Sequence, residues 1–242
     1  MTDRAVPDWL TRHTYAHRGL HRSGIPENSL AGAEAAIAAG MGIECDIQRS
    51  FDDVPMVFHD WDLDRLTGVA GETDREFAED LEQLRLLGTD QKPVRFSTFL
   101  EFIGGRVPLL IEIKSFPDYN VDETTAAVIA ELESYSGGYA VMSFDPRVAA
   151  WVREHAPETC CGLVMREDEH GYTQTQADRE RAFEQAQPDF LAYHIAALPN
   201  PWVAGLRKMG LPILTWTVNS PETRARALQN ADALIAEGEG IE

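Results

Sequence analysis

The chain has 242 residues, of which 44% are hydrophobic and 25% charged, a composition typical of a folded globular protein with a sizeable core. Forty acidic residues against 21 Lys and Arg give a net charge of −19. This charge disfavours nucleic acid as a partner and opposes adsorption to anionic membranes. No segment approaches the ~20 apolar residues of a membrane span, and the first residues lack a signal-peptide core, so we predict a cytoplasmic protein without stable membrane insertion.

Strand-like and helix-like segments alternate along the chain. The eight strand-like segments are residues 14–17, 42–47, 107–114, 139–144, 160–165, 190–194, 212–218 and 232–236. The helical patterns are residues 29–39, 96–103, 121–134, 146–155, 178–187, 201–209 and 221–230. Several helical patterns start with a capping residue followed by proline. Such alternation predicts an α/β protein with a closed (β/α)8 TIM barrel, and a doubly wound open sheet is the alternative.

Residues 55–59 (P-M-V-F-H) form a ninth strand-like segment that does not fit this count. Only residues 48–54 separate it from the second strand, and a parallel crossover needs a dozen or more residues. We therefore expect it to return antiparallel. We predict that residues 48–95 are an insertion at the C-terminal face of the barrel, and that residues 1–242 form a single catalytic barrel domain.

Charged residues alternate with apolar ones on two of the predicted strands. Glu44 and Asp46 share one strand face, and Glu112 and Lys114 repeat this spacing on the next barrel strand. Burying several carboxylates is costly unless a cation compensates them, which points to a bound divalent ion. Carboxylate oxygens favour Mg²⁺ or Ca²⁺ over zinc. The alternative is that these acids are surface strand ends paired with Arg or Lys.

Active sites of such barrels lie at the C-terminal ends of the strands. His17 and Arg18 end the first predicted strand, and His59 comes from the insertion, so these residues can meet the acidic group at one mouth. His13, His21, His155 and His170 lie in polar or helical contexts, and we expect them to be exposed. His194 ends a strand and could face the mouth.

Seven motifs in order resemble the glycerophosphodiester phosphodiesterase family. They are A-H-R-G-L (16–20), P-E-N-S (26–29), I-E-C-D-I (43–47), M-V-F-H-D (56–60), L-D-R-L-T-G (63–68), I-E-I-K (111–114) and W-T-V-N (216–219). The resemblance implies a barrel with an insertion after the second strand, a divalent ion, and hydrolysis of a glycerophosphodiester to sn-glycerol 3-phosphate and an alcohol. Two stretches depart from the family pattern: D-D-V-P (52–55) and the end of the last strand, A-L-I-A-E-G-E-G-I-E (233–242).

The resemblance also assigns roles to residues of this chain. It assigns metal ligation to Glu44, Asp46 and Glu112. Acid–base roles fall to His17 and His59, and phosphate contacts to Arg18 and Lys114. Glu27 and Asn28 match the P-E-N turn near the metal and phosphate. Trp216 of W-T-V-N could wall the pocket, or it could be a core aromatic.

These roles agree with what phosphodiester cleavage requires. A proton must leave the attacking oxygen, another must reach the leaving oxygen, and the phosphoryl charge must be neutralised. Two histidines can exchange one proton each near neutral pH. The sequence leaves the nucleophile open between water and a substrate hydroxyl, and it does not address the oligomeric state. Three other functions stay open: a phosphodiesterase or lyase acting on a lysophospholipid, a non-catalytic phosphate-binding barrel, and a barrel in which the metal only stabilises the fold.

Overall fold

Eight parallel strands close into a barrel in the computed structural model of the protein, which describes residues 6–241. Within these residues the strands are β1 (Tyr15–Ala16), β2 (Gly42–Arg49), β3 (Pro55–Val57), β4 (Val94–Arg95), β5 (Leu109–Ile113), β6 (Tyr139–Ser143), β7 (Cys161–Met165), β8 (Phe190–His194), β9 (Ile213–Val218) and β10 (Ala233–Ala236). Apart from β3 and β4 they pair in parallel, and β1 pairs with both β10 and β2. This closure confirms the predicted barrel and excludes the open sheet.

Helices follow most barrel strands, as predicted. They are α1 (Leu30–Ala38), α2 (Asp64–Thr67), α3 (Ala78–Leu81), α4 (Phe96–Ile103), α5 (Val121–Leu132), α6 (Pro146–His155), α7 (Gln176–Ala186), α8 (Pro201–Lys208) and α9 (Pro221–Asn230). Helix α7 begins two residues before the predicted start at Asp178. The reason is a capping box, in which Thr175 is the N-cap and Asp178 is the third helical residue. No helix of residues 6–241 is long and apolar enough to cross a membrane.

The alternation of side chains on the strands separates two apolar layers. On β2, Ile43, Cys45 and Ile47 are fully buried in the layer between barrel and helices. Tyr15 and Leu110 belong instead to a second cluster of strand residues. Glu44 and Asp46 alternate with the outward-facing residues of β2 and therefore point to the barrel interior. The residues expected to carry chemistry thus lie on the face that closes around the barrel axis.

The segment after β2 returns antiparallel, as predicted. Ile47 lies opposite Val57, and β3 pairs in turn with β4. Helices α2 and α3 lie between β3 and β4. The segment has its own apolar cluster, made of Met56, Phe58, Leu63, Leu66, Ala78, Leu81 and Leu86. This packing fixes the backbone that carries His59.

The stability of the protein should depend on pH because of Glu131 on α5. Its Oε2 atom is buried and accepts no hydrogen bond within residues 6–241, and burial raises the pKa of the carboxyl from 4.5 to about 7. Since the folded pKa lies above the unfolded one, the folded state loses stability as pH rises from about 4.5 to about 7. Replacing Glu131 with Gln should therefore raise the free energy of unfolding at pH 8 by about 1–2 kcal/mol, after discounting for the solvent that still reaches the group.

Urea unfolding at about pH 8 and about pH 4.5 measures this effect, which should shrink at the lower pH. The control is Glu133→Gln, because Glu133 is exposed at the end of the same helix. An equal change in the free energy of unfolding at both pH values would contradict the assignment to ionisation of Glu131.

Candidate active site

The first barrel strand is shorter than predicted because the chain turns sharply after Ala16. Arg18 and Gly19 both have left-handed backbone conformations, with φ of 56° and 77°. The Arg18 backbone N–H then donates to Glu44 Oε2 at 2.9 Å. A Cβ atom on Gly19 would lie 2.9 Å from the carbonyl carbon of Gly32, so only glycine fits this turn. The turn directs the His17 and Arg18 side chains to the mouth of the barrel.

Three carboxylates lie together at this mouth. Glu44 and Asp46 come from β2, and Glu112 stands opposite Asp46 on the neighbouring β5. Their relative exposures are 2%, 2% and 8%, and one oxygen of each lies within 4.8 Å of the others. Burial, and then the charges of Asp46 and Glu112, raise the pKa of Glu44 well above its ordinary value. A divalent cation would relieve this repulsion, so these hard oxygen donors fit Mg²⁺ or Ca²⁺.

Two cationic side chains, those of Lys114 and Arg18, lie close to these carboxylates. Lys114 Nζ lies 2.9 Å from Glu112 Oε1 and 3.6 Å from Asp46 Oδ1. Arg18 Nε lies 3.4 Å from Asp46 Oδ2. Burial alone would raise the pKa of Asp46, but His59, Lys114 and Arg18 together hold it well below its ordinary value. Asp46 is therefore an anion at neutral pH, and cations line the mouth beside it.

Glu27 and Asn28 lie in the turn before α1 and contact Arg18 and Asp46, respectively. The Asn28 amide donates to Asp46 Oδ2 at 2.9 Å, and its oxygen accepts from the Asp46 backbone N–H at 3.2 Å. Glu27 Oε1 accepts from Arg18 Nη1 at 2.7 Å. Neither residue lines the cavity at the mouth. The structure places them where they orient Asp46 and Arg18, and their predicted contact with phosphate stays a prediction.

Both predicted catalytic histidines are held by a carboxylate. His17 Nδ1 lies 2.6 Å from Glu237 Oε2, and His59 Nδ1 lies 2.6 Å from Asp60 Oδ1. The hydrogen bonds to His17 and His21 hold the pKa of Glu237 well below its ordinary range. A carboxylate on Nδ1 keeps the proton there and leaves Nε2 free to exchange protons. The two histidines therefore have the same tautomer and the same kind of support.

The insertion is tied to the barrel near His59. The Phe58 N–H donates to the Asp46 carbonyl at 3.0 Å, which sets the next residue, His59, beside β2. Arg65 on α2 contacts both Asp60 and Glu27, with its Nη2 2.8 Å from Glu27 Oε1. The insertion therefore shares one ion-pair network with the turn that supports Arg18.

A cavity of about 340 Å³ opens at this mouth. All the predicted site residues except Glu27 and Asn28 line it. Its lining also includes aromatic side chains, among them Trp61, Phe144 and Trp216. The Trp216 Nε1–H donates to the Ala192 carbonyl at 3.0 Å, and the ring packs edge-on against Phe144 at 5.3 Å. Of the two alternatives for Trp216, the structure favours the pocket wall.

Several residues lie elsewhere than the sequence indicated. His21 is half-buried against Glu237 rather than exposed. His170 is exposed as expected but also lines the cavity, whereas His194 packs on Trp216 and does not line it. Glu237 was not among the site residues predicted from the sequence. It follows the last barrel strand, where side chains face the active site of such barrels, and this position was the available signal.

Two carboxylate-held histidines lie beside cations and buried carboxylates at the C-terminal face of a (β/α)8 barrel, an arrangement suited to a phosphoric diester hydrolase built on this fold. Residues 17–236 match the glycerophosphoryl diester phosphodiesterase family. The chain belongs to this family.

Individual relatives agree with this assignment. A glycerophosphodiester phosphodiesterase of Caldanaerobacter subterraneus is 28% identical over 245 residues and covers 92% of each chain. The crystal structure of the Thermotoga maritima glycerophosphodiester phosphodiesterase is 26% identical, covers 92% of this chain and 93% of that one, and superposes with a TM-score of 0.75. An Oleispira antarctica phosphodiesterase in complex with the product sn-glycerol-3-phosphate has the same fold, with a TM-score of 0.81, 23% identity and coverage of 93% and 92%.

Proposed function

We propose that this protein is a metal-dependent hydrolase of small glycerophosphodiesters that releases sn-glycerol 3-phosphate and an alcohol. The observation that carries the proposal is the pair of carboxylate-held histidines, His17 and His59, which line the same cavity as the acidic group, Arg18 and Lys114. The names of the relatives support the substrate class, and the product bound to the Oleispira antarctica phosphodiesterase supports a glycerol phosphate as product.

The metal ligands in this proposal are Glu44, Asp46 and Glu112. Bound there, Mg²⁺ or Ca²⁺ would polarise the phosphoryl group and orient the nucleophile. Lys114 and Arg18 are the two cations that neutralise the remaining phosphoryl oxygens. The planar fork of Arg18 suits two oxygens, whereas Lys114 offers one compact charge.

The two histidines divide the proton transfers. One accepts the proton of the attacking oxygen at Nε2, and the other donates a proton to the oxygen of the leaving alcohol. Glu237 and Asp60 hold the rings through Nδ1, so each Nε2 is presented in a fixed direction. The attacking oxygen belongs to water or to a hydroxyl of the substrate glycerol, and a cyclic phosphate product released early in the reaction would identify the hydroxyl.

The volume of the cavity limits the size of the substrate. At about 340 Å³ it lies at the lower end of the range for small-molecule sites, which suits a glycerophosphodiester with a short alcohol. The charged side of the cavity suits the phosphate and its volume suits a short alcohol, so we favour a glycerophosphodiester over a lysophospholipid. The net charge of −19 likewise supports a protein without nucleic-acid partners, and the cytoplasmic location stays part of the proposal.

A panel of glycerophosphodiesters tests this function. The protein is incubated with glycerophosphocholine, glycerophosphoethanolamine or lysophosphatidylcholine in Mg²⁺ or Ca²⁺. Release of sn-glycerol 3-phosphate is followed by a coupled dehydrogenase, and release of choline by a coupled oxidase, because headgroup cleavage of the lysolipid yields choline and a lysophosphatidic acid. We expect turnover of the two water-soluble diesters and none of the lysolipid. Saturable diester binding without any release would instead favour the non-catalytic phosphate-binding barrel.

A further inference from the structure

A second cluster of metal-ligating side chains lies beside the acidic group. It consists of His17, His21 and Glu237, whose ligand atoms all lie within 4.8 Å of one another. Glu237 Oε2 is 2.6 Å from His17 Nδ1 and 3.3 Å from His21 Nε2. The side chains of His17, His21 and Glu237 are 13%, 28% and 28% exposed, so an ion in solution can reach the cluster although most of each side chain is buried. His21 takes no part in the proposed reaction.

The donors of this cluster differ in kind from those of the acidic group. Two imidazole nitrogens and one carboxylate are the protein ligand set of many catalytic zinc sites, with water in the fourth position. Three carboxylates suit Mg²⁺ or Ca²⁺. We propose that His17, His21 and Glu237 form a separate site for Zn²⁺, and that zinc bound there inhibits the enzyme.

The backbone already holds these ligands close to the required positions. The His21 N–H donates to the Gly19 carbonyl at 2.9 Å, and a tight turn follows in which Arg22 and Ile25 exchange two hydrogen bonds. The Glu237 N–H donates to the Val218 carbonyl at 2.9 Å. Zinc–nitrogen and zinc–oxygen bonds are about 2.0–2.2 Å long, so neighbouring ligand atoms must sit about 3.3 Å apart. The three ligand atoms already lie within 4.8 Å of one another, so side-chain shifts of about 1 Å are enough to reach this spacing.

Zinc at this site would remove His17 from proton transfer. Zinc on Nδ1 replaces the hydrogen bond to Glu237 and moves the ring proton to Nε2. The zinc-bound imidazole can then no longer accept a proton at Nε2, and it gives that proton up far less readily than an imidazolium does. This inhibition rests on the proposed role of His17, whereas the binding of zinc does not.

The test uses the protein saturated with Mg²⁺, so that added Zn²⁺ meets a filled acidic group. We expect ZnCl₂ to inhibit diester hydrolysis of the wild type. His21→Gln should keep the basal activity, because His21 does not line the cavity, and should need at least about 10-fold more zinc for half-inhibition. His155→Gln, a change of an exposed histidine at the end of α6, is the control and should match the wild type.

Binding is measured independently of activity. Titration calorimetry of ZnCl₂ into the Mg²⁺-saturated protein should give one site that is weakened at least about 10-fold in both His21→Gln and Glu237→Gln. Co²⁺ in the same site should give the visible absorption of a low-coordinate ion, and His21→Gln should lose it. Equal zinc affinity in wild type and His21→Gln would overturn the proposal, as would equal inhibition of both. If the protein proves inactive on every diester, the calorimetric comparison still decides the zinc site.

Discussion

Replacing His17 or His59 with Ala is expected to lower kcat for glycerophosphocholine hydrolysis about 10²- to 10⁴-fold, the usual contribution of one general acid or base. Each ring lines the cavity, and each is partly exposed, so its removal leaves no large void in the core. The melting temperature should therefore change little. Steady-state kinetics with circular dichroism melting measures both quantities on the same samples.

Two comparisons sharpen this result. His155→Ala removes an exposed histidine that stacks on Trp151 and does not line the cavity, and it should keep the wild-type kcat. A nitrophenyl ester of glycerol phosphate needs no protonation of its leaving group. The variant that recovers activity on this substrate therefore lacks the general acid, and the variant that does not recover lacks the general base. Wild-type turnover of glycerophosphocholine by either alanine variant would contradict the two-histidine mechanism.

Removal of the divalent ion is expected to abolish turnover and to destabilise the fold. Without the ion, Glu44, Asp46 and Glu112 are buried within 4.8 Å of one another, with Lys114 and Arg18 as their nearby cations. A ligand that binds only the folded state at 100 times its dissociation constant adds about 2.7 kcal/mol to the free energy of unfolding. Exhaustive chelation followed by Mg²⁺ or Ca²⁺ should therefore restore both activity and melting temperature.

The effect of the divalent ion on stability can be measured without measuring activity. In the His17→Ala variant, which should be inactive, Ca²⁺ or Mg²⁺ should still raise the melting temperature. Asp46→Asn should lose this rise, and Glu133→Gln, which changes an exposed carboxylate just after α5, should keep it. Undiminished turnover after exhaustive chelation would contradict the metal site. A fully restored melting temperature in a protein that never turns over any diester would favour a metal that only stabilises the barrel.

Much of the architecture follows from local regularities of the sequence. Strand periodicity places Glu44 and Asp46 on one face and Cys45 on the other. In the structure Cys45 belongs to the apolar core cluster, whereas Glu44 and Asp46 line the cavity. The short spacing before residues 55–59 requires an antiparallel return, which β3 makes. In a parallel barrel the strand ends meet at one face, so His17 and Glu112 converge there whatever the details of packing.

The position and partners of individual side chains required the tertiary structure. His17 and Glu237 are 220 residues apart, and they meet because β10 pairs with β1 when the barrel closes. The sequence indicated only a departure from the family at the last strand, whereas the structure identifies Glu237 as the partner of two histidines.

The sequence by itself therefore determined the barrel, the shared strand face of Glu44 and Asp46 and the antiparallel return that precedes His59, because periodicity, strand ends and segment spacing are local properties of the chain. The partner of His17, the place of Asn28 behind Asp46 and the burial of His21 were decided only by the tertiary structure. Each depends on side-chain distances of a few ångströms between segments that closure of the barrel brings together, and strand periodicity carries no information about such distances.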